Sequence, residues 1–338
     1  PERAEWLQRG EAALARGDTV QALRAFERAA AMQHAADCEM GLVRTYVQAG
    51  AYRRALAFAA HTAGAHRDVP AGGVLYAWLL HVGGQTAFAQ RVLDSIEARA
   101  PGNALAAQAR VQLRSPAPVA SGALLSAPGR VAPIDAGPPL PAAATVTGTG
   151  VLIDEGRRTL APLPSLGEAR ALWLRDGRGR RTAARIERRD EALGLALLRL
   201  EEPIEGAPGL ALAPRDPFAG SPGFGVDYTA TPDAAPAWPL LRPGFIGSPD
   251  GATGSLKLGI ELPAGAQGGP VLDAGGRFVG ITARGPDGRP RLLPLSTLRR
   301  AFGDLLGVLT GPDRASTAPV DGLYEIAMPI TLQVIAEP

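Results

Sequence analysis

The residues best suited to catalysis and metal binding are unevenly spread along this 338-residue chain. All four histidines, His34, His61, His66 and His81, and the lone cysteine, Cys38, fall within the first 81 positions. Everything beyond offers serine and threonine hydroxyls with no imidazole to accept their protons. A hydroxyl is a weak nucleophile until an adjacent base activates it. The one remaining amine, Lys257, would have to be that base, and no serine stands three positions from it as in a helical Ser-Lys pair. The histidines sit in different segments of the helical pattern, a scatter that predicts no metal site, and the chain implies no cofactor. A single cysteine forms no internal disulfide, and Cys38 reads as a small buried hydrophobe.

The elements that would have to position any site follow two different patterns. From Ala4 to about Leu113 the chain is alanine-rich with apolar residues at helical spacing, broken about every 34 residues by Gly17, Gly50 and Gly83-Gly84. Stacked helical hairpins are expected, with a capping helix over 104–113. Trp6, Gly10, Ala13, Ala22, Phe26 and Ala29 of the first repeat place small residues where two helices approach and large ones where gaps need filling. Tyr46, Gly50, Tyr52 and Ala55 mark the second repeat; Ala77, Gly84, Ala89 and Pro101 mark the third. Residues 114–143 are rich in Pro and Ala and have no sustained period, as a linker would. Short apolar stretches bounded by Gly, Pro and Asp follow: 145–154, 171–174, 182–187, 193–200, 256–262 and 278–283. Such spacing predicts an antiparallel barrel or sandwich. A helix is expected over 295–308, with Ser296 as its N-cap.

Hydrophobic residues make up 46% of the chain and charged residues 20%, and the net charge is +2. That balance suits a soluble globular protein and gives no support for nucleic-acid binding. No apolar run reaches the ~20 residues of a membrane-spanning helix. An arginine-rich hairpin, Arg178 to Arg189, is partly balanced by Asp176, Glu187 and Asp190 and reads as a solvated face. The start at Pro1 fits removal of a signal peptide or trimming equally well.

Two resemblances sharpen this outline. The helical segment resembles tetratricopeptide repeats. Residues 144–309 resemble trypsin-like proteases of the Deg or HtrA type, on three segments in order. Gly148-Thr-Gly-Val-Leu-Ile-Asp154 is similar to the glycine-rich strand that leads into the histidine segment, here Thr159-Leu-Ala-Pro-Leu-Pro-Ser165. Asp190-Glu-Ala-Leu-Gly-Leu-Ala-Leu-Leu-Arg-Leu200 is similar to the strand of the orienting aspartate. Gly265-Ala-Gln-Gly-Gly-Pro-Val-Leu-Asp273 is similar to the nucleophile loop. The resemblance implies a double antiparallel β-barrel, and it aligns the histidine, aspartate and serine positions with Pro164, Gly194 and Gln267. A triad needs all three roles filled, so the expected protein is not an enzyme. Gly265, Gln267, Gly268 and Gly269 would keep an oxyanion-loop turn, chiefly because the barrel needs it, with converging N–H groups as its residual chemistry.

By carry-over of the groove positions, Glu11, Arg44, Gln48, Trp78 and His81 face a concave peptide-binding surface, with Trp78 as anchor. The expectation is a non-catalytic protein-binding scaffold, acting in assembly, secretion or envelope quality control and, by family analogy, exported to the periplasm. The competing readings are a hydrolase completed by a partner chain or by unrecognised residues, and a metal or small-ligand sensor using Asp227, Asp233 and Asp250. Finally, residues 310–338 read as a linker plus a strand: Leu323, Ile326 and Ala327 fall at helical spacing, and Ile330, Leu332 and Val334 alternate with Thr331 and Gln333. The family's first strand is missing before Gly148. A circularly permuted barrel is therefore expected, residues 329–336 pairing beside the Gly148 strand within one chain or by exchange in a homodimer.

Overall fold

The computed structural model describes residues 2–250, 254–263, 265–307 and 317–338. Val308 and the expected linker as far as residue 316 lie outside the described residues. Contacts divide the chain into two units, one of residues 1–138, 177–179 and 235–238, the other of 139–176, 180–234 and 239–338.

In the first unit, three antiparallel helical hairpins stack in chain order and a single helix follows: α1 (Glu2–Ala15) with α2 (Thr19–Met32), α3 (Ala36–Gln48) with α4 (Tyr52–Ala65), α5 (Pro70–Val82) with α6 (Thr86–Arg99), then α7 (Ala104–Leu113). Glycines at the turns adopt left-handed φ values, Gly17 at 74° and Gly50 at 87°, which side chains with a Cβ avoid. Phe26 shows why small residues recur on the helices. Its fully buried ring fills the space over Gly10 and Gly41, where an added Cβ would come within 2.7 and 2.5 Å of ring atoms. Asn103 caps α7, its Oδ1 accepting from the Ala106 N–H at 3.0 Å.

The Pro- and Ala-rich stretch after α7 is no free tether over most of its length. Its Val119, Leu124, Val131 and Ala132 are buried. The Arg130 guanidinium holds its turns together by donating to the carbonyls of Leu125, Ala132 and Pro133 at 2.8, 3.1 and 3.2 Å. Apolar side chains at irregular intervals, which show no period, are what sequence pattern cannot separate from a linker.

The second unit holds two closed six-stranded barrels. Strands β1 (Thr145–Ile153), β2 (Arg158–Pro162), β3 (Ala171–Asp176), β4 (Arg181–Asp190) and β5 (Leu195–Leu200) build most of the first. Strands β6 (Pro222–Asp227), β7 (Leu240–Asp250), β8 (Ser255–Gly259), β9 (Pro270–Leu272), β10 (Phe278–Arg284) and β11 (Pro290–Pro294) build the second, in the order β10-β11-β8-β7-β6-β9. The first barrel is completed by β12 (Thr331–Glu337), in the order β1-β12-β3-β4-β5-β2. Val151 pairs with Thr331 and Gly150 with Leu332 on one side of β12; Leu332 pairs with Asp176 and Val334 with Leu174 on the other. The C-terminal segment thus fills the expected gap within the same chain. It also supplies Ile330, Leu332 and Val334 to a core shared with Leu152, Leu174 and Leu198.

Two helices complete this unit, α8 (Leu295–Phe302) and α9 (Val320–Ala327). The N-terminus of α8 is satisfied differently from expectation. Ser296 lies inside the first turn rather than at the N-cap, and Asp216 from another segment accepts from both its N–H, at 3.0 Å, and its hydroxyl, at 2.5 Å. The helix ends at Phe302, earlier than the pattern suggested, because Gly303 adopts φ 51° and the chain continues as a 3-10 turn through Leu306. On α9 the Tyr324 hydroxyl, fully buried, donates to the Pro239 carbonyl at 2.8 Å.

Candidate functional site

The three segments singled out in the second unit meet where the two barrels adjoin. Leaving β2, the chain makes a 3-10 turn, Leu163–Ser165, that carries Pro164. The N–H of Leu163 donates to the carbonyl of Gly194 at 2.8 Å, which joins the first two positions through the backbone. On the other side of the turn, the Thr147 hydroxyl donates to the Ser165 carbonyl at 2.6 Å. A Cβ on Gly148 would lie 2.2 Å from the Ser165 Oγ and 3.8 Å from the Gln267 carbonyl. That carbonyl in turn accepts from the Thr149 N–H at 3.2 Å. Backbone contacts thus link the turn of Pro164 to Gly194 on one side and to Gly148, Thr149 and the Gln267 carbonyl on the other.

Proline carries no proton acceptor on its side chain, and Gly194, at φ 65° with open space where its Cβ would point, presents only backbone. Gln267 is half-buried and carries a side-chain amide. Sequence reasoning passed over Ser165, which is buried with its hydroxyl lacking a hydrogen-bond partner. Its hydroxyl is packed against Gly148. Lys257 does not serve it either: it is exposed on β8, paired with Arg291, and β8 stands three strands from β9 in either direction around the barrel.

The glycine loop is bound up with its own barrel. The Gly268 N–H donates to the Thr282 carbonyl at 2.8 Å, and the Gly269 N–H to the Thr282 hydroxyl oxygen at 3.0 Å. A Cβ on Gly268, at φ 91°, would lie 2.2 Å from the Thr149 carbonyl oxygen, and one on Gly269 would lie 2.1 Å from that of Val226. Gly265, at φ 80°, packs against Ala230, while Ala264 beside it lies outside the described residues. Two of the N–H groups expected to converge on a ligand are thus spent on the fold.

The carboxylates weighed as a sensor site occupy separate places. Asp227 is buried and receives Arg242 Nε at 3.0 and 3.2 Å, and burial raises its pKa against the opposing pull of that arginine. Asp250 pairs with Arg291 at 2.8 Å. The Asp233 carbonyl accepts from the Val146 N–H at 2.9 Å.

In the helical unit, the five groove positions are buried or half-buried and already engaged. Arg44 holds Glu11 through two contacts, Nη1 to Oε2 at 3.0 Å and Nη2 to Oε1. Trp78 and His81 form an edge-to-face pair with centroids 5.4 Å apart, and His81 Nδ1 lies 2.9 Å from the Thr86 hydroxyl. Gln48 clasps both main-chain groups of one residue of the following segment: its Nε2 donates to the Ile134 carbonyl at 2.8 Å and its Oε1 accepts from the Ile134 N–H at 3.0 Å. Such a two-point grip is how a side-chain amide recognises extended main chain.

One expectation from spacing fails outright. The histidines do not scatter: His34, His61 and His66 gather around the buried carboxylate of Glu39. The hairpin of α3 and α4 brings the start of one helix beside the end of the other, a closeness that linear spacing hides. Only the antiparallel pairing itself could have signalled it.

Comparison with known proteins follows this geometry. The family description "trypsin-like peptidase domain" matches residues 148–281, and no curated protein matches the chain. Among solved structures, the MamO protease domain from Magnetospirillum magneticum in its apo form is 21% identical over 48% of this chain and 96% of that one, with a TM-score of 0.37. The serine endoprotease from Yersinia pestis is 18% identical over 47% of this chain and 57% of its own, with a TM-score of 0.40. The HtrA-type protease AlgW with decapeptide is 17% identical over 47% and 51%, with a TM-score of 0.39. The family match and the paired six-stranded barrels give the second unit the trypsin-like fold; the matched span includes neither β12 nor the helical repeats.

Proposed function

We propose that this chain is a non-catalytic protein-binding scaffold, a pseudoprotease fused to tetratricopeptide-like repeats. The observation that carries the reading is the sequence of the second unit: no histidine or cysteine occurs anywhere in residues 139–338, and the resemblance aligns base, orienter and nucleophile with Pro164, Gly194 and Gln267. Without a base, neither Ser165 nor any other hydroxyl there gains nucleophilicity. Purified protein is expected to hydrolyse neither casein nor peptide esters and to take no label from a fluorophosphonate probe; a labelled barrel serine would sink the proposal. Gln267→Ser is expected to stay inactive as well, and turnover by that variant would reveal a base in an unforeseen place.

Binding is assigned to the helical repeats. Gln48 already holds the main chain of Ile134 as a groove residue would hold a peptide, so the natural partner is an extended peptide segment competing for that amide. Replacing Gln48 with Ala and Trp78 with Ala should weaken capture of a co-purified partner, the loss of a buried aromatic anchor costing ~2 kcal/mol or more. Unchanged affinity in both variants would move the binding surface elsewhere. The exported, periplasmic setting belongs to the same proposal and rests on likeness to Deg-type proteins. No helix among the described residues is long and apolar enough to cross a membrane, and fractionation of the native host tests the compartment.

A further inference from the structure

We propose that His34, Glu39 and His66, with His61 beside them, bind a divalent first-row transition-metal ion on the helical unit. Glu39 projects from the first turn of α3 and is 1% exposed, yet neither carboxylate oxygen has a hydrogen-bond partner. An unpaired buried carboxylate is costly, and proteins resolve such sites with hydrogen bonds, counter-charge or a coordinated cation. What faces Glu39 is imidazole nitrogen. His34 Nε2 lies 2.5 Å from its Oε1, His66 Nε2 3.4 Å from its Oε2, and His61 Nε2 3.7 Å from its Oε1. The donor atoms of His34, Glu39 and His66 all lie within 4.8 Å of one another. Tetrahedral coordination at ~2.0–2.1 Å sets donors roughly 3.3 Å apart, a separation that these distances bracket. The Nε2 of His66 likewise has no hydrogen-bond partner.

The placement suits coordination. His34 stands in the loop after α2, Glu39 at the start of α3, and His61 and His66 at the end of α4. One ion would therefore tie two successive helical hairpins together. His34 and His61 side chains are 62% and 54% exposed, which gives an ion a path from solvent to the buried carboxylate. Cys38, one residue from Glu39, stays out of the set because its thiol donates to the Ala35 carbonyl at 3.0 Å. A donor set of imidazole nitrogens and one carboxylate favours Zn2+, Co2+, Ni2+ or Cu2+ over Mg2+ and Ca2+.

The test uses the full chain, stripped with chelator, exchanged into chelator-free buffer and titrated calorimetrically with Zn2+. One equivalent of saturable binding is expected, Mg2+ should give no comparable heat, and Co2+ should produce visible d–d absorption that Zn2+ abolishes. Glu39→Gln and His66→Ala should each weaken Zn2+ binding at least about tenfold. Because Glu39 is buried and its replacement risks the fold, His34→Ala, altered at an exposed side chain, keeps the test intact with the same expected loss. Absence of saturable Zn2+ binding, equal binding of Mg2+, or Zn2+ affinity unchanged in a His34→Ala/His66→Ala variant would overturn the proposal.

Discussion

The two barrels of the second unit have the same number of strands and opposite logics of closure. Every strand of the second lies between Pro222 and Pro294, so its ring closes from one stretch of chain. The first contributes five strands between Thr145 and Leu200 and must wait for β12, which begins 131 positions beyond Leu200. Its closure depends on the least local pairing in the unit, with a correspondingly larger loop entropy to overcome. The comparison teaches that one architecture can be self-contained in one half and dependent on a distant segment in the other.

The largest effect should come from removing that segment. Deletion of residues 329–338 takes away β12 and leaves α9, exposing the ladders of both β1 and β3 and opening the core around Leu174 and Leu198. Amide hydrogen exchange should lose protection over 145–200 while 222–294 retains most of it. Loss of both together would show that the barrels unfold as one unit, and an unchanged melting temperature would break the comparison. A melting temperature that depends on protein concentration would instead point to exchange of β12 between chains.

A smaller contrast sets a left-handed glycine of one barrel, Gly268, against one of the other, Gly194. Gly268→Ala drives a Cβ into the Thr149 carbonyl and should cost roughly 3 kcal/mol or more by chemical denaturation. Gly194→Ala meets open space and should cost only the conformational term, about 1–2 kcal/mol. Equal costs would mean that the loop of the second barrel is no more constrained than the turn of the first.

A further effect concerns pH. Asp176 closes β3 opposite Leu332, and burial pushes its carboxyl up to about 6 even though Arg180 contacts it at 2.9 Å. The folded protein then holds a proton that the unfolded chain releases from about pH 4, so this group's contribution to stability declines as pH rises through the window from about 4 to 6. Asp176→Asn should remove that decline. The difference in unfolding free energy between variant and parent, measured at pH 4 and pH 7, reads it directly, and a constant difference would show that Arg180 outweighs burial.

How much of this was legible in the sequence depended on whether a pattern was local. The helix of 104–113 is bounded as its composition suggests, because its cap, Asn103, and its apolar period are both local. The strand at 331–337 was legible from the alternation of Leu332 and Val334 with Thr331 and Gln333, together with the missing partner before Gly148. Strands β6, β7 and β11 left little trace: Gly223 and Gly225, then Pro243 and Pro249, then Pro290 and Pro294 interrupt any two-residue period. Main-chain pairing with neighbouring strands, which no local pattern records, holds those segments extended. Pro164, Gly194 and Gln267 were singled out by the family resemblance alone, whereas Ser165 carried no signal. The histidine cluster was invisible because its members are separated in sequence and meet only through the pairing of α3 with α4. The grip of Gln48 on Ile134 was hidden for the same reason, since its partners are main-chain groups that any residue but proline supplies.

The position of β12 also imposes a timetable. Synthesis proceeds at ~5–20 residues per second, so the interval between Leu200 and Thr331 amounts to roughly 7–26 seconds. During that wait the strands of the earlier barrel are already present, while those of the later barrel are still being added and can be completed first. The half of the trypsin-like unit made first is the half finished last, and for those seconds the gap between β1 and β3 has no β12 to fill it.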